Sequence, residues 1–412
     1  MIDLTLLREH PALVAKEISK KDPTFDTNAL ITLYIKLYNV RREVETLRAK
    51  KNELTALAKG GITEEIREQS KEVGAELKKK ETDLKTCEST FNDLYLRVPN
   101  IPLSDVPVGG EEQNKVVRVC GEKPVFAFAP KNHLDLAVAN GWVDFEAAAT
   151  MTGANFALYK STGVDVVYAL ALMMFTHNRS HKYEPILPPY LVNERSLYGA
   201  GNFPRFKEDV YAITDEDLYL TPTAEVNLTN LYRDAIIPEK DLPIRLTSWT
   251  SCFRREAGGY GASDRGLIRL HQFEKVELYT LCTPDKSNAE QERMLAVAEE
   301  LLEKLGFHYR VVLLATQESS FPSARTYDIE VWMPGQQGYR EVASISNCTD
   351  FQARRSGIRY RSETDHKIHL VNTLNGSSLA ISRIMAALIE YYQQEDGTID
   401  IPSALRNVTF SF

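Results

Sequence analysis

The sequence predicts an α+β protein: an N-terminal antiparallel helical coiled-coil arm, then a larger domain built on a mostly antiparallel β-sheet flanked by helices. Three observations carry this expectation. Apolar residues recur with heptad spacing on both sides of the pair Gly60-Gly61. Pro99, Pro102 and Pro107 then close the helical part and mark a linker. From about Leu103 onward, strand-like and helical runs alternate without the regular order that a parallel sheet requires.

The arm comes first. Leu30, Leu33, Leu37, Val40, Val44, Leu47, Leu54 and Ala58 form one apolar seam. Ile66, Val73, Leu77, Leu84, Cys87, Phe91, Leu94 and Val98 form the second. Lys51, Ser70 and Lys80 interrupt the pattern. Each helix should hold roughly 32 residues and span about 48 Å, so part of the hairpin outreaches a compact body. Residues 27–98 carry 14 Lys+Arg against 12 Asp+Glu, a balance of +2 in a chain of −8, which leaves −10 for the rest. Arg41-Arg42, Lys50-Lys51 and Lys78-Lys79-Lys80 concentrate the positive charge. Mixed charge suits a solvated coiled-coil face, and a basic excess suits a phosphate backbone.

In the larger part, Ala289–Leu305 is an amphipathic helix with Gly306 as its stop. Val311–Leu314 and Tyr327–Met333 read as strands. The bulk properties exclude several classes. The chain has 412 residues, of which 43% are hydrophobic, and no apolar stretch approaches the roughly 20 residues of a membrane span. MIDLTLLREH lacks the basic and apolar regions of a signal peptide. Five scattered cysteines without a CxxC pair argue against a disulfide framework and a structural zinc, and point to a reducing cytoplasm. His366 and His369 lie three apart with no third ligand nearby in sequence.

Polar residues crowd four stretches where strands are expected. Tyr219–Glu225 would place Thr223 and Glu225 on one strand face. Phe253–Gly258 would do the same for Arg254 and Glu256, before a loop containing Gly258, Gly259, Gly261 and Gly266. Arg269, His271, Phe273, Lys275 and Glu277 alternate along the next run, and Tyr339–Cys348 forms a third stretch. Leu374–Arg383 reads as a turn entering an apolar helix that carries Arg383. Singly, each has a plain reading: an ion pair, a turn cap, a solvated arginine. Together, three arginines (254, 269, 383) and three glutamates (256, 277, 341) suit a polyphosphate nucleotide with bound Mg²⁺. No GxxxxGK[ST] or GxGxxG is present, so side chains on the sheet would hold that nucleotide.

These stretches resemble a known family. FRREAG with GLIRLHQFEKVE is similar to motif 2 of the class II aminoacyl-tRNA synthetases, and NGSSLAISR to motif 3. TPTAEV, YREVASISNCTDFQARR and the leading hairpin narrow the resemblance to the seryl-tRNA synthetases. It covers essentially the whole chain. GGYGASDRG and the second serine of NGSS depart from the family pattern.

The resemblance implies a tRNA-binding domain over residues 1–103 and a catalytic aminoacylation domain over 104–412. It implies that L-serine and ATP give seryl-adenylate and pyrophosphate, and that serine then passes to the 3′ end of tRNA-Ser, with tRNA-Sec as a further candidate. Arg254, Arg383 and Glu256 are the implied catalytic residues. Arg254, Arg255, Glu256, Leu270, Phe273, Glu341, Val342, Ala343, Ser344 and Arg383 would bind ATP, with Phe273 stacked on adenine. Thr223, Ala224, Glu225, Arg254, Glu277 and Ser377 would bind serine. Glu341 and Ser344 would hold Mg²⁺ with ATP. A cytoplasmic homodimer without membrane contact is implied, its hairpin gripping the long variable arm of tRNA-Ser. Two alternatives stay open on the residues alone: a ligase that charges a carrier protein, and an inactive relative that tethers through its coiled coil.

Overall fold

The computed structural model describes residues 1–257, 266–406 and 408. Gly258, Gly259 and Gly261, expected in the loop after Glu256, lie outside the described residues. The chain divides into two compact units, Met1–Ile101 and Pro102–Phe412.

The first unit is helical. Two short helices, α1 (Leu4–Glu9) and α2 (Pro11–Lys21), precede the hairpin of α3 (Thr27–Ala58) and α4 (Glu64–Tyr95), each 32 residues long. Asp26 and Thr63 cap the long helices, accepting from the amides of Ala29 (2.8 Å) and Ile66 (3.2 Å). The heptad seam is observed: Leu30, Leu37, Val44 and Leu54 are buried on α3, and Val73, Leu77, Cys87 and Phe91 on α4. Ile2, Leu7, Val14 and Ile18 complete an apolar base with Leu30, Phe91 and Tyr95. Arg41–Glu88 and Arg48–Glu81 (both 2.7 Å) and Lys80–Glu43 (2.5 Å) bridge the two helices. Part of the arm's positive charge is therefore used inside the hairpin. Lys50, Lys51, Lys78 and Lys79 are exposed, and none of them forms an ion pair among the described residues.

The second unit is organised by one eight-stranded sheet. In chain order its strands are β1 (Lys115–Cys120), β2 (Glu184–Pro185), β3 (Ile244–Phe253), β4 (Gln272–Cys282), β5 (Tyr309–Leu313), β6 (Arg325–Met333), β7 (Gly338–Asn347) and β8 (Asn372–Ala380). They lie in the order β1-β5-β6-β7-β8-β4-β3-β2. Every pair is antiparallel except the edge pair β2–β3. Four helices matter for the site and its support: α5 (Thr162–Ser180), α6 (Ala224–Leu231), α7 (Ser287–Lys304) and α8 (Ile381–Tyr391). The main core joins buried residues of α5, α7 and α8 to Val276 and Leu278 of β4, Ile329 and Val331 of β6, and Val342 and Ile345 of β7. The helix expected at 289–305 and the strands expected near 311 and 327 are observed, and Gly306 takes the left-handed φ of 70° that ends α7.

Three local expectations are corrected. Thr223 and Glu225 are not on a strand: Thr223 is the N-cap of α6, accepting from the Glu225 amide (3.3 Å), and Glu225 occupies its first turn. The run Thr-Pro-Thr-Ala-Glu is a helix start, with an oxygen cap and an acid in the first turn. Residues 374–380 form not a turn but the central strand β8. Gly376 is required there by close packing: a Cβ would lie 2.9 Å from Ile345 Cγ1 and 3.1 Å from the Ser344 carbonyl. Finally, the alternating strand starts at Gln272, so Arg269 and His271 precede it.

Candidate active site

A polar cavity of about 370 Å³ opens on the sheet face made by β4, β7 and β8. Phe273 and Lys275 reach it from β4, and Asn375 and Ser377 from β8, each pair two residues apart on one strand face. On β7 simple alternation fails. The pairing register with β6 shifts so that Val342 is an extra residue on β7. This bulge puts Glu341 on the cavity side with Ser344 and leaves Val342 and Ala343 in the core. Arg383, on the first turn of α8, reaches the cavity from beyond the end of β8.

Charges cluster at both ends. At one end Arg383 Nη1 lies 3.0 Å from Glu341 Oε2 and also donates to the Glu341 carbonyl (2.9 Å), while Arg383 Nε donates to the Ile268 carbonyl (3.1 Å). Burial pushes the Glu341 carboxyl up, but the adjacent Arg383 charge and hydrogen bond hold it below the ordinary value. Across the strand pair, Asp328 lies opposite Ser344. Burial, then the charge of Glu341, raises its carboxyl well above the ordinary value, and its Oδ1 is buried without a hydrogen-bond partner among the described residues.

At the other end sits a buried carboxylate pair. Glu277 is fully buried, and its Oε2 accepts from Thr223 Oγ1 (2.6 Å) and pairs with Lys275 Nζ (2.7 Å). Its Oε1 is buried and has no hydrogen-bond partner among the described residues. Glu225 Oε1 accepts from Gln352 Nε2 (2.6 Å) and Asn375 Nδ2 (3.0 Å). Burial, then the nearby Glu277, raises Glu225 to about 7. Between the ends, Arg254 donates to the Pro222 carbonyl (3.3 Å), and its guanidinium stands 5.2 Å from the Phe273 ring centre. Glu256, held at φ 51°, pairs not with Arg254 but with Arg269 (2.5 Å).

Most of the residues implied by the resemblance converge here. Glu225, Arg254, Glu256, Leu270, Phe273, Glu341, Ser344, Ser377 and Arg383 line the cavity, and Thr223 and Glu277 adjoin it through Lys275. Arg255 is exposed outside it, and Ala224, Val342 and Ala343 are core residues. His271 packs against Phe156 with the rings tilted by 50°, and its Nδ1 bonds the Arg254 carbonyl (3.0 Å). Lys275, Gln352 and Asn375 were missed as site residues, although Asn375 lies in the quoted NGSS and Lys275 in the alternating run. Asp328 carried a signal too, being polar at an alternate position of a strand.

The Glu341 carboxylate and Ser344 hydroxyl are hard oxygen donors on one cavity face, with space for phosphate and water oxygens. That donor set fits Mg²⁺, which takes few protein ligands. Elsewhere among the described residues, His177, His181 and Glu300 bring ligating atoms within 4.8 Å of one another. His177 is already engaged through both nitrogens, with Lys304 Nζ (2.8 Å) and the Val297 carbonyl (3.1 Å). His369 Nε2 bonds the Asp365 carboxylate (3.0 Å).

Arginines and carboxylates around one cavity of an antiparallel sheet point to the class II aminoacyl-tRNA synthetases. Accordingly, the model of the tRNA synthetase class II core domain (G, H, P, S and T) matches residues 208–392. The seryl-tRNA synthetase N-terminal domain matches residues 1–102. Serine–tRNA ligase of Desulfotalea psychrophila is 45% identical over 98% of both chains, and that of Syntrophotalea carbinolica 43% identical over 98% of this chain and 97% of the relative. A crystal structure of seryl-tRNA synthetase from Pyrococcus horikoshii complexed with ATP superposes with a TM-score of 0.92 at 34% identity, covering 98% of this chain and 97% of that one. The chain belongs to the seryl-tRNA synthetase family, whose members are aminoacyl-tRNA ligases.

Proposed function

We propose that the cavity activates L-serine with ATP and then passes the seryl group to tRNA-Ser, with the two charged ends dividing the work. The observation that carries this reading is the orphaned, buried Oε1 of Glu277 beside Lys275 and Thr223. A buried acceptor without a partner is costly unless a ligand donates to it. Serine offers an ammonium and a hydroxyl for that role. Glu225, Thr223 and Ser377 complete the pocket.

The serine carboxylate attacks the α-phosphorus, the bond to pyrophosphate breaks, and seryl-adenylate forms. Both reactants are anionic. Arg254 lies between the serine pocket and Phe273, and holds the carboxylate and α-phosphate together against their repulsion. Phe273 stacks on the adenine ring. Arg383 holds the far phosphates, exchanging its contact with Glu341 for them. Glu341 and Ser344 would hold a Mg²⁺, which would supply neutralisation of phosphate charge. Glu256 is fixed by Arg269 at the ATP edge. A pocket that hydrogen-bonds a hydroxyl disfavours alanine, because its own polar groups are left unpaired.

The hairpin grips the long variable arm of tRNA-Ser through phosphate contacts, centred on Lys50, Lys51, Lys78 and Lys79. The working form is a cytoplasmic homodimer. Among the described residues no helix is long and apolar enough to cross a membrane. The test is Arg254→Ala: serine-dependent ATP–pyrophosphate exchange is lost while the protein stays folded. Exchange at the wild-type rate in that variant contradicts the assignment.

A further inference from the structure

One buried histidine stands outside the cavity. His133 opens the short helix His133–Ala139, is 4% exposed and does not line the site. We infer that His133 is a positioning residue for ATP: it clamps the chain at residues 266–268 against α8 and so aims Arg383. The inference rests on the proposed role of Arg383 at the far phosphates and adds what holds that arginine in place.

Two contacts of the imidazole define its tautomer. Its Nδ1 lies 3.0 Å from Glu390 Oε1, and its Nε2 accepts from the Leu267 amide (3.4 Å). A backbone amide only donates, so Nε2 carries the lone pair and Nδ1 the proton that Glu390 accepts. Glu390 is fully buried on the last turn of α8. It also accepts from the His133 amide (3.0 Å), from Gln336 Nε2 (3.2 Å) and from the Gly335 amide (2.8 Å), the last two in the turn between β6 and β7. These donors fix the carboxylate, and the carboxylate fixes the ring. The ring in turn packs directly on the chain: a Cβ on Gly266 would lie 2.7 Å from His133 Nε2.

Arg383 and Glu390 lie about two turns apart on α8 and therefore share one helix face. Both ends of that face hold the same strip of chain. Arg383 Nε donates to the Ile268 carbonyl (3.1 Å), and Glu390 holds the neighbouring Leu267 amide through His133. Leu267 and Ile268 are core residues, and Ile268, Arg269 and Leu270 line the cavity. Without the His133 acceptor the buried Leu267 amide loses its partner, which is costly. The strip then shifts to find another and carries the Ile268 carbonyl away from Arg383. The serine end of the cavity is built from α6, β4 and β8, so the effect falls on ATP.

The experiment separates the two ring nitrogens in the full-length protein. His133→Asn keeps a donor near Nδ1 for Glu390 and loses the Nε2 acceptor. His133→Gln reaches Leu267 with its side-chain oxygen and loses the Nδ1 donor. ATP–pyrophosphate exchange gives KM for ATP and for serine, and thermal unfolding reads stability. In His133→Asn, KM for ATP should rise about fivefold, as loss of one hydrogen bond implies, while KM for serine stays within about twofold. In His133→Gln, KM for ATP should return to within about twofold of wild type, although this variant melts lowest because buried Glu390 has lost a donor. A purely structural role predicts instead that KM for ATP follows the melting temperature across the three proteins. That pattern, an unchanged KM for ATP in His133→Asn, or an equal rise for serine overturns the inference. Should His133→Gln fail to fold, the split between ATP and serine in His133→Asn decides alone. Absence of serine-dependent exchange in wild type would overturn the activity on which the inference rests, and direct ATP binding to wild type and His133→Asn would then decide for His133.

Discussion

Glu277→Gln tests the serine pocket at its most buried charge. The glutamate side chain is 1% exposed and its partner Lys275 12%. Glutamine keeps one oxygen for Thr223 but removes the negative charge and turns one acceptor into a donor. Two costs follow. The Lys275 ammonium loses its partner, and one-sided removal of a buried pair costs about 3–5 kcal/mol; partial exposure of Lys275 places this case at the low end. In catalysis, the orphaned Oε1 no longer accepts from serine. A hydrogen bond to a charged group contributes about 1.5–3 kcal/mol, hence a loss of about 10- to 150-fold in kcat/KM. The assay is ATP–pyrophosphate exchange with serine and with alanine, alongside thermal unfolding. If Oε1 reads the hydroxyl, serine loses more than alanine; if it reads the ammonium, both fall together. A folded variant that keeps serine kcat/KM within about threefold of wild type refutes the reasoning that an unpaired buried acceptor marks the substrate.

Three further outcomes are expected. The raised Glu225, near 7 against an ordinary 4.5, should make serine KM rise as pH falls below about 7, because the ammonium is held by the carboxylate form; Glu225→Gln should flatten that profile. The same shift makes this group's contribution to stability largest at acid pH, falling as pH climbs from about 4.5 through 7, which a pH series of unfolding midpoints in wild type and Glu225→Gln would show. Replacing Lys50, Lys51, Lys78 and Lys79 by alanine should raise the KM for tRNA about tenfold or more and flatten its salt dependence while leaving exchange intact, whereas an unchanged tRNA KM places the grip elsewhere.

The helical arm was legible because its packing is local: heptad spacing, a glycine turn and terminal prolines specify a hairpin without reference to the rest of the chain. The central sheet was legible in kind but less so in detail. Two bulges defeat simple alternation. One makes Val342 the extra residue and brings Glu341 round to Ser344, and the other disturbs β8 between Ser377 and Leu379. NGSS read as a turn because glycine and serine usually punctuate chains. Here the glycine is demanded by a neighbouring strand, which is a long-range fact. Thr223 and Glu225 read as a strand because β-branched residues favour one, although the same letters form a helix cap. The partners of Glu225, Gln352 and Asn375, come from distant segments, and no local pattern announces them.

The central claim is that one cavity pairs serine recognition with ATP chemistry. ATP–pyrophosphate exchange with each of the twenty amino acids, without tRNA, tests it most directly. Exchange with serine should run far above that with the other nineteen, alanine and glycine included. Preferred exchange with another amino acid would keep the class II core and contradict the pocket. No exchange from a folded protein would contradict the activity itself.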